Sequence, residues 1–491
     1  MYDTVIIGAG IGGLTCGAVL AKAGKKVLII ERHTRPGGYV TSYSRDGFIF
    51  DVPHVISGLR EGASPLWKII REIGVNIEFI ELEPYQKVIY PEHEIRVYTD
   101  IEKYKQELKA VFPQDSEGID RFYETLSKLN EEMKRLPEDF GILDLLSFPF
   151  KFPTVYRYMN AVFEGLLNDH LKNPKLKAIL ASAQGYVGSP PSKVSALYYA
   201  GMLISFHYGG AWYPKGGYQK MADAFAKAFE ARGGELLLNT EVKKIIIEKG
   251  KAQGVELSDG RIIKCALVVS NADTKRTFLD LVGEENLKKN FAHRIRNAEL
   301  SSTGFAVHLG VKMELEKMDL NYGTIFVKTN GNVFLPNGKS SINSIGISIP
   351  SLHDKSLAPE GCHSMDILLI PAPYDFNNKW LSDNGKRTDA YKKLKEEMAD
   401  KLIKTAELLI PDLSRNIVVK DITTPLTYER YTRASEGCWY DLAQIPSQFG
   451  VNRLASKKII KNLLFTGSKS LYGGIYGATT CGYQTAKRIL K

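Results

Sequence analysis

The chain has 491 residues, 44% of them apolar and 24% charged, so it can bury a large core and fold as two or more domains, and it is not a disordered segment. Its net charge of +10 reads either as a lysine-rich solvated face or as attraction to an anionic surface; with no aromatic-plus-basic module or zinc-finger spacing beside it, nucleic acid is excluded as the expected partner. Five scattered cysteines, Cys16, Cys265, Cys362, Cys438 and Cys481, form no C-x-x-C pair, which speaks against a metal site or a disulfide framework and for a reducing, cytoplasmic compartment.

No charged n-region precedes the first strand, so no secretory leader is expected. That strand is Asp3 to Ile7, a short β-branched run of the kind found buried in parallel sheets. It leads into Gly8-Ala9-Gly10-Ile11-Gly12-Gly13, a G-x-G-x-x-G turn. Gly8 permits the tight turn, Gly10 lets backbone approach a pyrophosphate, and Gly13 allows close helix–strand packing. A helix from about Ile11 to Ala23 would aim the positive end of its dipole at the phosphates. Gly24 ends it. A second strand, "KKVLIIE", finishes at Glu31, 18 residues beyond Gly13, where a carboxylate can accept hydrogen bonds from a ribose diol.

A second glycine cluster follows at once, Arg32 and then "RPGG", Arg35 to Gly38. A nicotinamide dinucleotide needs no close backbone approach there, whereas FAD does, because its ribityl and pyrophosphate groups extend back across such a turn. The whole arrangement, strand, G-x-G-x-x-G, helix, strand, Glu and R-x-G-G, resembles the flavin family that includes amine oxidases, phytoene desaturases and retinol saturases. Amine oxidases usually carry a further Arg after the paired glycines; this chain has Tyr39, which leans away from them.

Further along, "FIFDVPHVISG" holds Asp51 and His54. Asp51 reads as a cap or a base, and His54 as a proton shuttle near the flavin or as a satisfied structural histidine. Leu145 to Leu167 combines Phe148, Phe150, Phe152, Tyr156, Tyr158 and Phe163 with Lys151 and Arg157. It reads as a membrane-facing segment, about 140–170, or as a connection with its aromatics in the core. Val194 to Pro214 carries no formal charge, but Ser, Tyr, His and paired Gly interrupt it; a buried helix and loop lining an interior fits better than a membrane span. Tyr213, before the "PKGG" turn, faces a flavin or packs.

Three later stretches extend the resemblance. Tyr213 to Asp273 is similar to the second FAD-domain segment of phytoene-desaturase-like proteins, which implies Val242 against the adenine. Ser348 to Gly361 resembles a substrate-domain strand and turn of the desaturase and saturase branch. Asn462 to Leu490 resembles the closing segment of the flavin site and implies contacts from Gly467, Gly474, Ile475, Tyr476 and Gly477, with the last helix starting near Tyr476 to Ala478. Where many members carry a ribityl-binding acid, this chain has Ser468 and Lys469, so Ser468 is expected to supply that contact. Cys438, in "SEGCWY", is either a flavin-linked cysteine of the amine-oxidase kind or a small buried residue.

The expected fold is therefore α/β: a Rossmann-like, three-segment FAD-binding domain with a parallel sheet (1–75, 213–285 and 440–491), beside an α+β substrate domain (76–212 and 286–439). The leading function is an FAD-dependent oxidoreductase that desaturates, saturates or isomerises C–C double bonds of a long apolar polyene, with an electron donor or acceptor as further partner. The alternatives are a flavin amine oxidase and a non-catalytic flavin-binding partner.

Overall fold

The structure is a computed structural model that describes residues 1–137, 142–334, 341–372, 387–454, 459–469 and 472–491; the first two residues of the expected membrane-facing segment, 140 and 141, lie outside them. Its first sheet is a parallel layer in the order Glu235–Leu237, Val27–Ile30, Tyr2–Ile7, Ile262–Ser270 and Leu463–Phe465. The three central strands, Val27–Ile30, Tyr2–Ile7 and Ile262–Ser270, are rich in Val and Ile, and both faces of the layer are covered. The helices Ile11–Lys22, Tyr218–Glu230 and Gly474–Leu490 lie on one side, and a separate apolar cluster with Phe278, Phe291 and Ile295 lies on the other. Burial on both faces is why the strands read as continuous apolar runs. The long strand Ile262–Ser270 joins the parallel layer to an antiparallel meander. Its second half pairs with Tyr2–Ile7, while its first half continues an antiparallel meander through Lys251–Leu257 and Val242–Glu248.

The second sheet has seven strands in the order Ile417–Thr423, Thr303–Val311, His363–Ala372, Ser341–Ser348, Thr324–Phe334, Gln86–Ile89 and Glu94–Val97. Every pair is antiparallel except that of Thr324–Phe334 with Gln86–Ile89. Side chains alternate across it. Phe305, Val307, Leu309, Met365, Ile367 and Leu369 face the helix Asp389–Ala406 and make its core. The intervening residues, His308 and Asp366 among them, face the other way. Helices between 101 and 209 form a cap whose apolar faces join the core of the parallel layer.

Several expectations shift in position. The last helix starts at Gly474, ahead of the expected Tyr476. Ser348 to Gly361 contains only the end of a strand, followed by two short helical turns, Pro350–Leu352 and Lys355–Leu357. Val194 to Pro214 is a helix, Ala196–Gly209, and a strand, Ala211–Pro214, and no helix among the described residues is long and apolar enough to cross a membrane. The aromatics of 145–167 divide. Phe152, Tyr158 and Phe163 are core residues, whereas Phe150 and Tyr156 are exposed at 86% and 52%.

Candidate functional site

The two glycine clusters meet. Gly8 leaves the first strand at φ +97° and Gly37 stands at φ +125°, values that side chains other than glycine rarely adopt. The N–H of Gly37 donates to the carbonyl of Ala9 at 2.9 Å, and Gly10 and Gly37 form a parallel bridge. A Cβ on Gly10 would sit 2.7 Å from Asn271 Nδ2, one on Gly13 would strike the Gly8 carbonyl, and one on Gly12 would strike Gly467. The turn is thus held between the Arg35–Gly38 loop, the end of a neighbouring strand and the closing segment. Glu31 sits at the tip of its strand with its carboxylate accepting the N–H of Ala9 (2.8 Å) and of His33 (2.7 Å).

From these turns a single cavity of about 1570 Å³ runs through the molecule. Its wall includes Gly8, Gly10, Gly12, Glu31, Arg32, Arg35, Gly37, Gly38, Val242, Ser468, Gly474, Ile475, Tyr476, Gly477 and His54. Ala9, Gly13 and Gly467 stand behind that wall, where they shape the turns rather than face the space. Arg32 donates to the carbonyls of Arg430 and Tyr431, and Arg35 to that of Ser42, so both guanidinium groups also fasten neighbouring loops. The first turn of Gly474–Leu490 opens onto the cavity without a side-chain cap, leaving N–H groups and a partial positive charge there. The volume exceeds the roughly 300–1,000 Å³ of a pocket for one drug-sized ligand. With its glycine cradle, strand-tip acid and exposed helix ends, it fits a dinucleotide and leaves room for a second molecule.

At Tyr213 and Asp51 the structure selects between the two expected readings. Tyr213 does not reach the cavity; it is buried, with its hydroxyl donating to Asp51 and its ring edge-on to Tyr218. Asp51 is a cap acting at long range. It accepts the first N–H of the helix Tyr218–Glu230 (3.1 Å) and the hydroxyl of Ser42 (2.5 Å). Burial pushes its carboxyl up to about 6 against those hydrogen bonds. Cys438 lines the cavity, but burial raises its thiol well above the usual range, which disfavours the thiolate that a bond to flavin needs. Ser468 lines the cavity too, its hydroxyl accepting from Lys469 Nζ at 2.9 Å.

His54 is held. Its Nε2 lies 3.1 Å from Asp366 Oδ2, and the other carboxylate oxygen lies 2.5 Å from His308 Nδ1; His308 Nε2 in turn meets Thr423 Oγ1 at 2.9 Å. Burial raises the Asp366 carboxyl, but His308 and His54 outweigh it and hold the group below the usual carboxylate range. Asp366 therefore accepts from both rings.

Sequence reasoning missed Asp366, His308, Asn271 and Arg453. Arg453 is fully buried and donates to the carbonyls of Leu442 (2.8 Å) and Ser468 (3.0 Å), fixing the closing turn. The available signals were a lone His in "TGFAVHLGV", a lone Asp in "HSMDILLI" and a polar residue directly after a parallel strand, "VVSNAD".

A family model described as flavin containing amine oxidoreductase matches residues 11–275. Among curated proteins, the chain is 30% identical to a prolycopene isomerase of an Oncidium hybrid cultivar, over 99% of this chain and 84% of that one. It is 30% identical to a 4,4'-diapophytoene desaturase of a Methylomonas species, over 90% and 86%. An all-trans-retinol 13,14-reductase of Danio rerio is 26% identical over 99% and 86%. With a matching model over more than half its length and relatives aligned along nearly all of it, the chain belongs to the flavin containing amine oxidoreductase family.

Proposed function

We propose that this protein is an FAD-dependent oxidoreductase that desaturates, saturates or isomerises C–C double bonds of a long apolar polyene of the carotenoid or retinoid class. The observation that carries it is the cavity: its wall joins a dinucleotide cradle to an apolar lining that includes Tyr186, Leu197, Met202, Phe206, Phe326 and Leu368. Such a lining suits a chain of conjugated carbons better than an amine, and the relatives above are named for polyenes.

We read 1–75, 213–285 and 440–491 as the FAD-binding unit and 76–212 with 286–439 as the substrate unit. The backbone at Gly8–Gly13 and Gly37–Gly38 would cradle the pyrophosphate, Glu31 would take a ribose diol, and Val242 would lie against the adenine. Ser468 and the turn Gly474–Gly477 would hold the flavin end. When bound, the flavin takes up or gives back a hydride. The protein supplies orientation, exclusion of water and electrostatics. With the flavin bound, the N-terminus of the last helix would stabilise negative charge on the reduced ring.

The same reading includes reversible contact with a membrane, where such a substrate resides. Leu146, Phe150, Tyr156 and Met159 are exposed at 70%, 86%, 52% and 36%, beside Lys151 and Arg157. The end of the helix Ser116–Lys134, which lines the cavity through Asn130, Met133 and Lys134, adjoins this patch, because Glu132 accepts the N–H of Thr154 (3.1 Å) and Val155 (2.8 Å). Burying a CH₂ from water is worth about 0.8 kcal/mol, but a polyene already in lipid gains almost none of that on entering a tunnel, so docking at the source favours uptake. Each basic residue near an anionic surface adds about 1 kcal/mol.

The cofactor half of the proposal is tested by acid denaturation of the purified protein. A yellow protein that releases FAD is expected; a colourless one holding only a nicotinamide dinucleotide would refute it.

A further inference from the structure

A hydrogen-bonded chain of buried groups stands behind His54. Strand register sets it: His308 lies directly opposite Asp366 on one neighbouring strand and Asp421 on the other. Their side chains share the face that looks toward the cavity, with the rings of Tyr43 and Phe50 against His308. Asp366 and His308 are 1% and 2% exposed. A carboxylate so buried needs charge-assisted hydrogen bonds on its oxygens, and the two imidazoles provide them. The ionised Asp366 accepts at Oδ2 from His54 Nε2 and at Oδ1 from His308 Nδ1. The hydrogen bond to Oδ2 keeps a proton on Nε2 of His54. Its Nδ1 has no hydrogen-bond partner among the described residues, and His54 lines the cavity.

We infer that His54 is the catalytic acid–base of the reaction, acting through Nδ1, and that Asp366 and His308 are positioning residues that hold its tautomer and stabilise its charged form. The inference rests on the polyene reading above. In the desaturation direction a hydride leaves one carbon for oxidised FAD, and a proton leaves the adjacent carbon for Nδ1 of His54. Two C–H bonds break and one C=C π bond forms; the substrate is oxidised, the flavin is reduced, and His54 becomes imidazolium. In the saturation direction reduced flavin returns the hydride, and His54 delivers the proton to the neighbouring carbon. Asp366 remains ionised throughout and screens the imidazolium, as a carboxylate behind a catalytic histidine does.

The test uses FAD-loaded protein carrying 15N-labelled histidine. Wild type should show two strongly deshielded ring protons, on His54 Nε2 and His308 Nδ1. Asp366→Asn should remove both and shift His54 to its other tautomer, with the flavin absorbance retained. If Asp366→Asn does not yield folded protein, His308→Gln asks the same question from the other side of the carboxylate. On the same preparations, turnover of prolycopene and of all-trans-retinol should fall about 10²–10⁴-fold in His54→Ala, with part of the loss restored by free imidazole. Ring protons indifferent to Asp366→Asn would overturn the positioning role. His54→Ala turnover within about threefold of wild type, or a larger loss that imidazole does not restore while flavin stays bound, would overturn the acid–base role. Wild type that leaves both polyenes unchanged would instead overturn the polyene reading, and the histidine spectra would still decide the positioning role.

Discussion

The two sheets build their parts of the site differently. In the parallel layer everything that faces the cavity sits at strand ends and turns, such as Gly8, Glu31 and the Gly37–Gly38 loop. In the second sheet the polar cluster sits in mid-strand and is assembled sideways, His308 to Asp366 over a separation of 58 residues and Asp366 to His54 over 312. A turn-borne site depends on backbone and is intolerant of added atoms. A face-borne site depends on partnered side chains and is intolerant of lost ones.

That contrast can be pressed from both sides. The largest effect is expected from Gly10→Val, whose branched side chain would meet Asn271 where an added Cβ alone comes within 2.7 Å; the purified variant should be folded and colourless, and full flavin occupancy would show that the turn does not carry the cofactor. His308→Leu addresses the other sheet. It leaves one oxygen of the buried Asp366 without its donor, and removing one partner of a buried pair costs about 3–5 kcal/mol. Chemical denaturation should report that loss, whereas flavin affinity of the folded variant should match wild type.

Asp51 lies between the sheets and offers a pH test. Its carboxyl is raised from 3.8 to about 6, chiefly by burial. Between those values the folded chain keeps a proton that the unfolded chain has released, so this group's contribution falls as pH rises through the window and is level above it. The change amounts to about 3 kcal/mol, at 1.36 kcal/mol for each unit. Asp51→Asn should therefore flatten the stability profile between pH 4 and 6 relative to wild type; an identical slope in both proteins would refute the assignment. The smallest effect on the fold is expected from Leu146→Ser, Phe150→Ser and Tyr156→Ser together. Each exposed site should change stability by less than about 0.5 kcal/mol, yet the variant should no longer float with anionic liposomes at low salt. Wild type that stays behind would remove the membrane contact.

How far the molecule could be read from its sequence follows the same division. The cradle was legible because G-x-G-x-x-G, Glu31 and R-x-G-G lie within one short run, and each residue type is demanded by backbone geometry or by a single ligand group. What was not legible there was that Gly37 pairs with Gly10, or that Gly12 is needed as much for contact with Gly467 as for a cofactor, since both depend on distant chain. In the second sheet, one polar residue in an apolar strand gives no hint of its partner; His54 was visible as a candidate only because it follows the cradle, and Asp366 showed only as a lone polar residue in an apolar strand. Tyr213 misled because a tyrosine beside a glycine turn reads the same whether its hydroxyl meets a ligand or a buried carboxylate. The aromatics of 145–167 divide between the two expected readings, with Phe152 and Tyr158 in the core and Phe150 and Tyr156 facing solvent, a split that the side-chain types alone do not show.

The most direct test of the account is mass spectrometry of prolycopene and all-trans-retinol incubated with the FAD-loaded protein under oxidising and under anaerobic, reducing conditions. The account predicts that at least one polyene gains or loses a pair of hydrogens, or emerges as a different double-bond isomer. Polyenes recovered unchanged, together with ready oxidation of a primary amine and release of hydrogen peroxide, would contradict it.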